Sequence, residues 1–313
     1  MDYVTGTTQF HIDGASAVSL GKFDGLHRGH QKLIRHVLQQ KDKGLLATIF
    51  TFEKYPTRML QGLSSQNIMT NEERRYMLET AGIDRLLECP FVPEVAHMEP
   101  ETFVEEVLFG QLHAGFVAVG KDFRFGHQRK GDCRLLEEMG KRLGFRVEVL
   151  EKEESHGREI SSTYVREALH EGNIPLANEL LGYPYFVCGE VLHGRQIGRT
   201  LGLPTTNLIP LPDKLLPPNG VYLTRTYLEE DEYYGITNIG YKPTVGGEAH
   251  KGVETFLFDF NGDLYGKYLK VEFLEYERPE QKFHSLEELK ARILSDVYWG
   301  KSRMCVKYVK KGL

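Results

Sequence analysis

The sequence predicts two folds in series. Residues 1–182 read as an α/β domain on a doubly wound parallel sheet, and residues 183–313 as an all-β domain, a small antiparallel β-barrel with a C-terminal helix. Three observations predict this. Short apolar runs alternate with amphipathic helical stretches through the first half, the pattern of parallel strands joined by crossover helices. After Tyr183-Pro184 the period changes from helical to alternating, with frequent Gly and Pro turns. Helical spacing returns only at Ser285–Trp299, where Leu286, Leu289, Ile293 and Val297 share a face.

A chain of 313 residues can bury two cores. Its net charge of -5 supplies no attraction for nucleic acid or an anionic membrane, so neither is expected as a partner. No run of eighteen apolar residues exists, and the opening MDYVTGTTQFHIDG lacks the basic-then-apolar order of a signal peptide. Cys89, Cys133, Cys188 and Cys305 form no CxxC pair and read as reduced. A cytoplasmic protein is expected, with its oligomeric state open.

Taken in order, the first strand is Ala17-Val18-Ser19-Leu20, and the helix after it carries Leu33, Ile34, Val37 and Leu38 on one face. Leu45–Phe52 (LLATIFTF) suits a buried strand. Thr70-Asn71-Glu72-Glu73 is a capping box opening a helix that Gly82 closes. Leu86–Cys89 reads as a strand, and Pro100 opens a helix to about Phe109. Phe116–Gly120 is the fourth strand, Asp132–Leu143 a helix ended by Gly144, and Phe145–Leu150 the fifth strand. Pro175–Leu181 is a short helix stopped by Gly182. In the second half Tyr185–Leu192, Val221–Tyr227, Tyr233–Ile239, Val253–Phe260 and Tyr268–Tyr276 read as strands, and Phe260-Asn261-Gly262-Asp263 as a hairpin turn.

Five stretches carry chemistry. Gly21–His30, GKFDGLHRGH, sets two histidines where the first strand turns into a helix. Free N–H groups and the helix dipole favour phosphate oxygens there, and imidazoles add donors for charge that develops during reaction. A zinc pair lacks a third ligand at suitable spacing; a polar surface turn is the remaining alternative. Gly120–Asp132, GKDFRFGHQRKGD, follows the fourth strand, at the end of the sheet where ligands bind, with Lys121, Arg124, Arg129 and Lys130 beside Asp122. Ile160–Arg166 places Ser161, Ser162 and Thr163 at a helix start, as an N-cap or as part of a phosphate cradle with Arg166. His193–Asn207, HGRQIGRTLGLPTTN, is either a surface loop or a phosphate-wrapping one, and it is not a Walker A loop. Alternation puts Glu254 on one face with Phe256, Phe258 and Phe260, as a rim carboxylate or a general base.

The H-x-G-H tetrapeptide after a first strand resembles the nucleotidyltransferase superfamily that includes class I aminoacyl-tRNA synthetases. H-x-G-H, G-x-D-F-R-F-G and I-S-S-T-x-V-R, in that order, resemble the adenylyltransferase half of bifunctional prokaryotic riboflavin kinase/FAD synthetases. The resemblance implies that His27 and His30 bind and stabilise ATP phosphates during attack by FMN. It implies a nucleotide site of Gly21, Phe23, Asp24, Gly29, Gly120, Asp122, Arg124, Ser162, Thr163 and Arg166, with Phe52 and Phe125 at the flavin. One departure is TFEKYP at Thr51–Pro56, where the family usually has T-F-x-P-H-P, so Lys54 and Tyr55 replace a proline and a histidine. G-x-V-x-H-G (Gly189–Gly194), G-x-P-T-x-N (Gly202–Asn207), Glu254 before D-F-x-G-x-L-Y-G (Asp259–Gly266) and R-x-E-x-x-F (Arg278–Phe283) resemble the riboflavin kinase module. There the resemblance implies ATP contacts from Gly189, His193, Gly194, Gly198, Arg199, Pro204, Thr205 and Asn207. It further implies Mg²⁺ on Thr205 and Asn207, Glu254 as base on the ribityl hydroxyl, and Arg278 near the flavin. The expected substrates are riboflavin, FMN and ATP, with FAD as product. Rival readings are an enzyme retaining adenylyl transfer alone, a flavin-binding regulator, and an adenylyltransferase for another phosphorylated vitamin.

Overall fold

The structure, a computed structural model, describes residues 1–53, 66–193, 204–243 and 249–308. Lys54, Tyr55, Gly194, Gly198 and Arg199 lie outside the described residues. The chain divides into two compact units, Met1–Ser162 and Thr163–Leu313.

The first unit contains the strands β1 (Asp2–Thr5), β2 (Ser16–Leu20), β3 (Leu46–Phe52), β4 (Arg85–Cys89), β5 (Ala114–Gly120) and, later in the chain, Arg146–Leu150. Together they make one parallel six-stranded sheet in which β2 is flanked by β3 and β5. The sequence reading found five of these strands. β1 escaped it because an edge strand with only Val4 half-buried has no apolar run to announce it. Helix α1 (Arg28–Leu38) buries Leu33, Ile34 and Val37. Helix α2 (Asn71–Thr80) has the expected capping box: Thr70 Oγ1 accepts from the Glu73 N–H at 3.1 Å, and the Glu73 carboxylate from the Thr70 N–H at 2.8 Å. Pro100 opens a helix, as expected, but of mixed type. After one turn it becomes a π-helix, Phe103–Gln111, continued by a bond from the Leu112 N–H to the Val107 carbonyl; the wider turn buries Val104, Val107 and Leu108.

Beyond β5, the two-residue strands β6 (Arg124–Phe125) and β7 (Gly131–Asp132) pair, and helix α3 (Cys133–Leu143) starts on the Asp132 cap and stops at left-handed Gly144. After β8 (Arg146–Leu150), β9 (Glu154–Ser155) and β10 (Arg158–Glu159) form a small hairpin that delivers the chain to helix α4 (Ser162–His170).

In the second unit, helix α5 (Ile174–Leu181) is clamped by Asn178, whose amide donates to the Phe273 carbonyl at 2.9 Å and accepts from the Tyr185 N–H at 2.7 Å. The strands are β11 (Phe186–Glu190), β12 (Thr205–Leu208), β13 (Gly220–Leu228), β14 (Asp231–Pro243), β15 (Ala249–Leu257) and β16 (Tyr268–Arg278), in the order β11-β16-β13-β14-β15-β12 with every pair antiparallel. A bond from the Leu192 N–H to the Asn207 carbonyl at 2.9 Å brings the segment just after β11 against β12, so the sheet curls toward a barrel. Inside, Thr255, Thr237 and Thr224 form a run of hydroxyl bonds at 2.8 and 2.7 Å, ending on the Gly235 carbonyl, and all three are fully buried. On the outer face Leu223, Ile236 and Phe258 lie under helix α6 (Leu286–Lys307) through Val297 and Trp299. Gly300 permits that approach, since a Cβ there would stand 2.6 Å from Ile236 Cδ1.

The hairpin expected at Asn261-Gly262 is corrected: β15 pairs with β14 and β12, not with β16. The left-handed residues of that connection are Asp259 (φ 55°) and Gly266 (φ 74°). Among the described residues no helix is long and apolar enough to cross a membrane.

Candidate active sites

The first site forms at the carboxyl end of β2. The chain leaves the strand through a left-handed stretch, Phe23 (φ 50°), Gly25 (φ 82°) and Leu26 (φ 38°). Gly25 is required, because a Cβ would sit 2.9 Å from Ile68 Cγ2. Bonds hold the turn from several sides: the buried Asp24 carboxylate accepts from the Met69 N–H at 3.2 Å, and the Leu26 carbonyl from the Gln31 amide at 2.9 Å.

His27 is the N-cap of α1 and is 6% exposed. Its ring stacks on that of His30, centroids 3.7 Å apart and planes 20° from parallel. A Cβ on Gly29 would lie 3.2 Å from two atoms of the His27 ring, so the glycine of H-x-G-H is the space into which the imidazole folds. The Phe23 ring closes the other side of His30 at 5.2 Å. Burial, and then the neighbouring His27, push the His30 pKa well below the usual imidazole value, so this ring is neutral at physiological pH. Its Nδ1 is buried with no hydrogen-bond partner among the described residues, the condition of a polar atom awaiting a ligand.

The Ser162 hydroxyl donates to the Asp24 carbonyl at 2.9 Å, bringing the third motif against the first. Thr163 is exposed and Arg166 half-buried in α4. Asp122 is exposed on the loop after β5, and Lys152 holds it at 2.9 Å while also reaching Glu159 at 2.8 Å. Sequence reasoning missed Lys152, because its ion pair with Asp122 joins segments thirty residues apart. Arg124 is exposed, whereas Phe125 is 7% exposed and its ring packs in the core against Phe103 and Phe123. Phe52 is half-buried, edge-on to Phe50 and Phe91.

The second site lies on the outer barrel face. Register aligns Asn207, Glu254 and Asn238 across β12, β15 and β14, and the same row continues through Val221 to Arg278. Glu254 and Phe256 are half-buried, with Val253, Thr255 and Leu257 on the opposite, buried face; β15 ends before Phe258 and Phe260. The Thr205 hydroxyl donates to Glu254 Oε1 at 2.6 Å. Asn238 carried no sequence signal, since only the strand register places it here. Arg278 is held by Asp296 of α6, with Nε at 3.0 Å from Oδ1, and Arg292 joins the same carboxylate. His193 stacks on Tyr265 with centroids 3.7 Å apart. Gly189 lies in β11 beside Leu208, and Pro204 is exposed at the entry to β12.

A hydroxyl, an amide and one carboxylate offer hard oxygen donors, which suit Mg²⁺ better than softer metals and leave coordination sites for phosphate and water. Among the described residues no group of three or more His, Cys, Asp or Glu could hold a metal by itself.

Two family models match the chain: FAD synthetase over residues 9–164 and riboflavin kinase over residues 181–303. Proteins named bifunctional riboflavin kinase/FMN adenylyltransferase are similar along nearly the whole length. That of Haemophilus influenzae is 37% identical, covering 91% of this chain and 93% of its own. That of Escherichia coli K12 is 38% identical, over 89% and 90%. Among solved structures, one described as a macrolide-efflux protein from Streptococcus pneumoniae has a TM-score of 0.82 at 29% identity, covering 93% of this chain and 95% of that one. The order of the two matched regions follows that of the two sites, and the chain belongs to the bifunctional riboflavin kinase/FMN adenylyltransferase family.

Proposed function

We propose that the two activities of this enzyme, phosphorylation of riboflavin to FMN and adenylylation of FMN to FAD, reside in the two sites just described. Residues 1–182 carry adenylyl transfer and residues 183–313 the kinase, a division supported by the positions of the family matches.

At the first site an FMN phosphate oxygen attacks the α-phosphorus of ATP, and the bond to pyrophosphate breaks. The free N–H groups at the start of α1 bind phosphate oxygens, and the imidazoles of His27 and His30 steady the charge that grows on them. A neutral His30 can donate from one nitrogen without a permanent charge that would fix the polyphosphate in its ground state. Asp24 and Ser162 keep this loop in place, and Gly21, Phe23, Gly120, Asp122 and Arg124 are the residues of this unit assigned to the nucleotide. At the second site Glu254 takes the proton of the riboflavin hydroxyl as its oxygen attacks the γ-phosphorus, and the Thr205 hydroxyl orients the carboxylate. Mg²⁺ on Thr205 and Asn207 would neutralise phosphate oxygens. Riboflavin, FMN and ATP are the partners this reading requires.

The observation that carries the reading is the stacked histidine pair with the unpartnered, buried Nδ1 of His30 at a helix N-terminus. His30→Ala should lower FAD formation by about 10²–10³ while FMN formation stays near normal. Equal loss of both in folded protein would refute it.

A further inference from the structure

The left-handed turn that presents the histidines is strained, and such backbone persists only where its surroundings over-determine it. One clamp comes from a buried ion pair between α2 and β4. Arg74 of α2 is 1% exposed, and its guanidinium is bound to the carboxylate of Glu88 in β4, itself completely buried. The same guanidinium reaches the Lys22 carbonyl in the turn at 3.4 Å, a carbonyl that also accepts from the Thr51 hydroxyl at 3.4 Å. It donates to Asn71 Oδ1 at 3.2 Å, and the Asn71 amide in turn holds the Glu53 carbonyl just beyond β3 at 3.0 Å. Arg74 therefore ties together the loops that leave β2 and β3, the two central exits at the ligand-binding end of the sheet.

Fold stability alone does not call for charge here. A buried ion pair costs about as much desolvation as it returns, and apolar side chains of similar volume serve stability as well or better. Burial would raise the Glu88 carboxyl, but the charge of Arg74 and hydrogen bonds from Arg74, Tyr3 and Arg75 hold it below the usual carboxylate range, so the pair is ionised. What an apolar pair could not supply is a planar donor that reaches a carboxylate, an amide and a backbone carbonyl at once.

We infer that Arg74, anchored by Glu88, is a positioning residue for adenylyl transfer: it fixes the Lys22 carbonyl and thereby the turn that aims His27 and His30. This rests on the assignment of that turn to the adenylyl-transfer site. A displacement of the reacting groups by an ångström costs on the order of 10²-fold in rate.

The test measures FAD formation from FMN and FMN formation from riboflavin in full-length Arg74→Met/Glu88→Gln, which removes both charges together, and in Arg74→Lys, which keeps a point charge for Glu88 but loses the fork. His30→Ala is the reference. Both Arg74 variants should remain folded with FMN formation within about twofold of wild type, while kcat for FAD formation falls about tenfold or more and KM for ATP changes less. FAD formation within about twofold of wild type in either folded variant would overturn the inference. So would loss of both activities together in Arg74→Lys, which would make the pair structural. If His30→Ala itself left FAD formation intact, the site assignment would fail instead.

Discussion

A methyl group on residue 29 would sit 3.2 Å from Cε1 and Nδ1 of His27, close enough to displace the ring by a few tenths of an ångström. Gly29 does not have a left-handed backbone, so alanine fits the helix and is the better helix former. Stability and activity should then part company. Gly29→Ala is expected to leave the unfolding midpoint unchanged or higher, while kcat for FAD formation drops by about tenfold or more and FMN formation is untouched. A parallel fall in both activities would show that the glycine serves the fold. Residues such as His27, Gly29 and His30 were legible in the sequence because their geometry is local, set within one turn of one helix. Asn238, Arg74 and Glu88 were not, since each gains its role from partners that only the folded sheet brings near.

Helices were legible wherever both ends were marked. Thr70 and Gly82 bracket α2, Asp132 and Gly144 bracket α3, and Pro175 and Gly182 mark the two ends of α5. The signal failed where pairing is non-local: Asn-Gly favours a tight turn, but it does not say that the strands on either side are neighbours, and here β15 and β16 are not. Helix α6 was expected to Trp299 and runs to Lys307, where Arg303 and Lys307 bind the buried Glu275 of β16. Its hold on β16 is sensitive to pH through a second carboxyl. Burial, and then the charge of Asp296, push Glu277 up to about 7, against the opposing pull of Arg292 and Arg278. Unfolded, this group ionises near 4.5, so between there and about 7 the unfolded chain has released a proton that the folded chain keeps. This carboxyl makes stability fall as pH rises through that window and level off above it. Glu277→Gln should remove that slope and raise the unfolding midpoint on the alkaline side; a midpoint unchanged relative to wild type at both ends would count against it.

At the scale of the whole molecule, two chemistries share one chain and are linked by a small product. On the division of labour proposed above, a mixture of His30→Ala and Glu254→Gln proteins should convert riboflavin to FAD, although neither does so alone. The first is expected to stop at FMN and the second to make FAD only when FMN is added. Product analysis of the three incubations checks this, and no FAD in the mixture would contradict a division by site. The run of hydroxyls from Thr255 to Thr224 bears on how such a molecule can change its diet. Those bonds tie β15, β14 and β13 to one another on the buried face of the sheet. Substitutions on the opposite face, at positions such as Asn238 and Phe256, can leave that run of hydroxyl bonds in place.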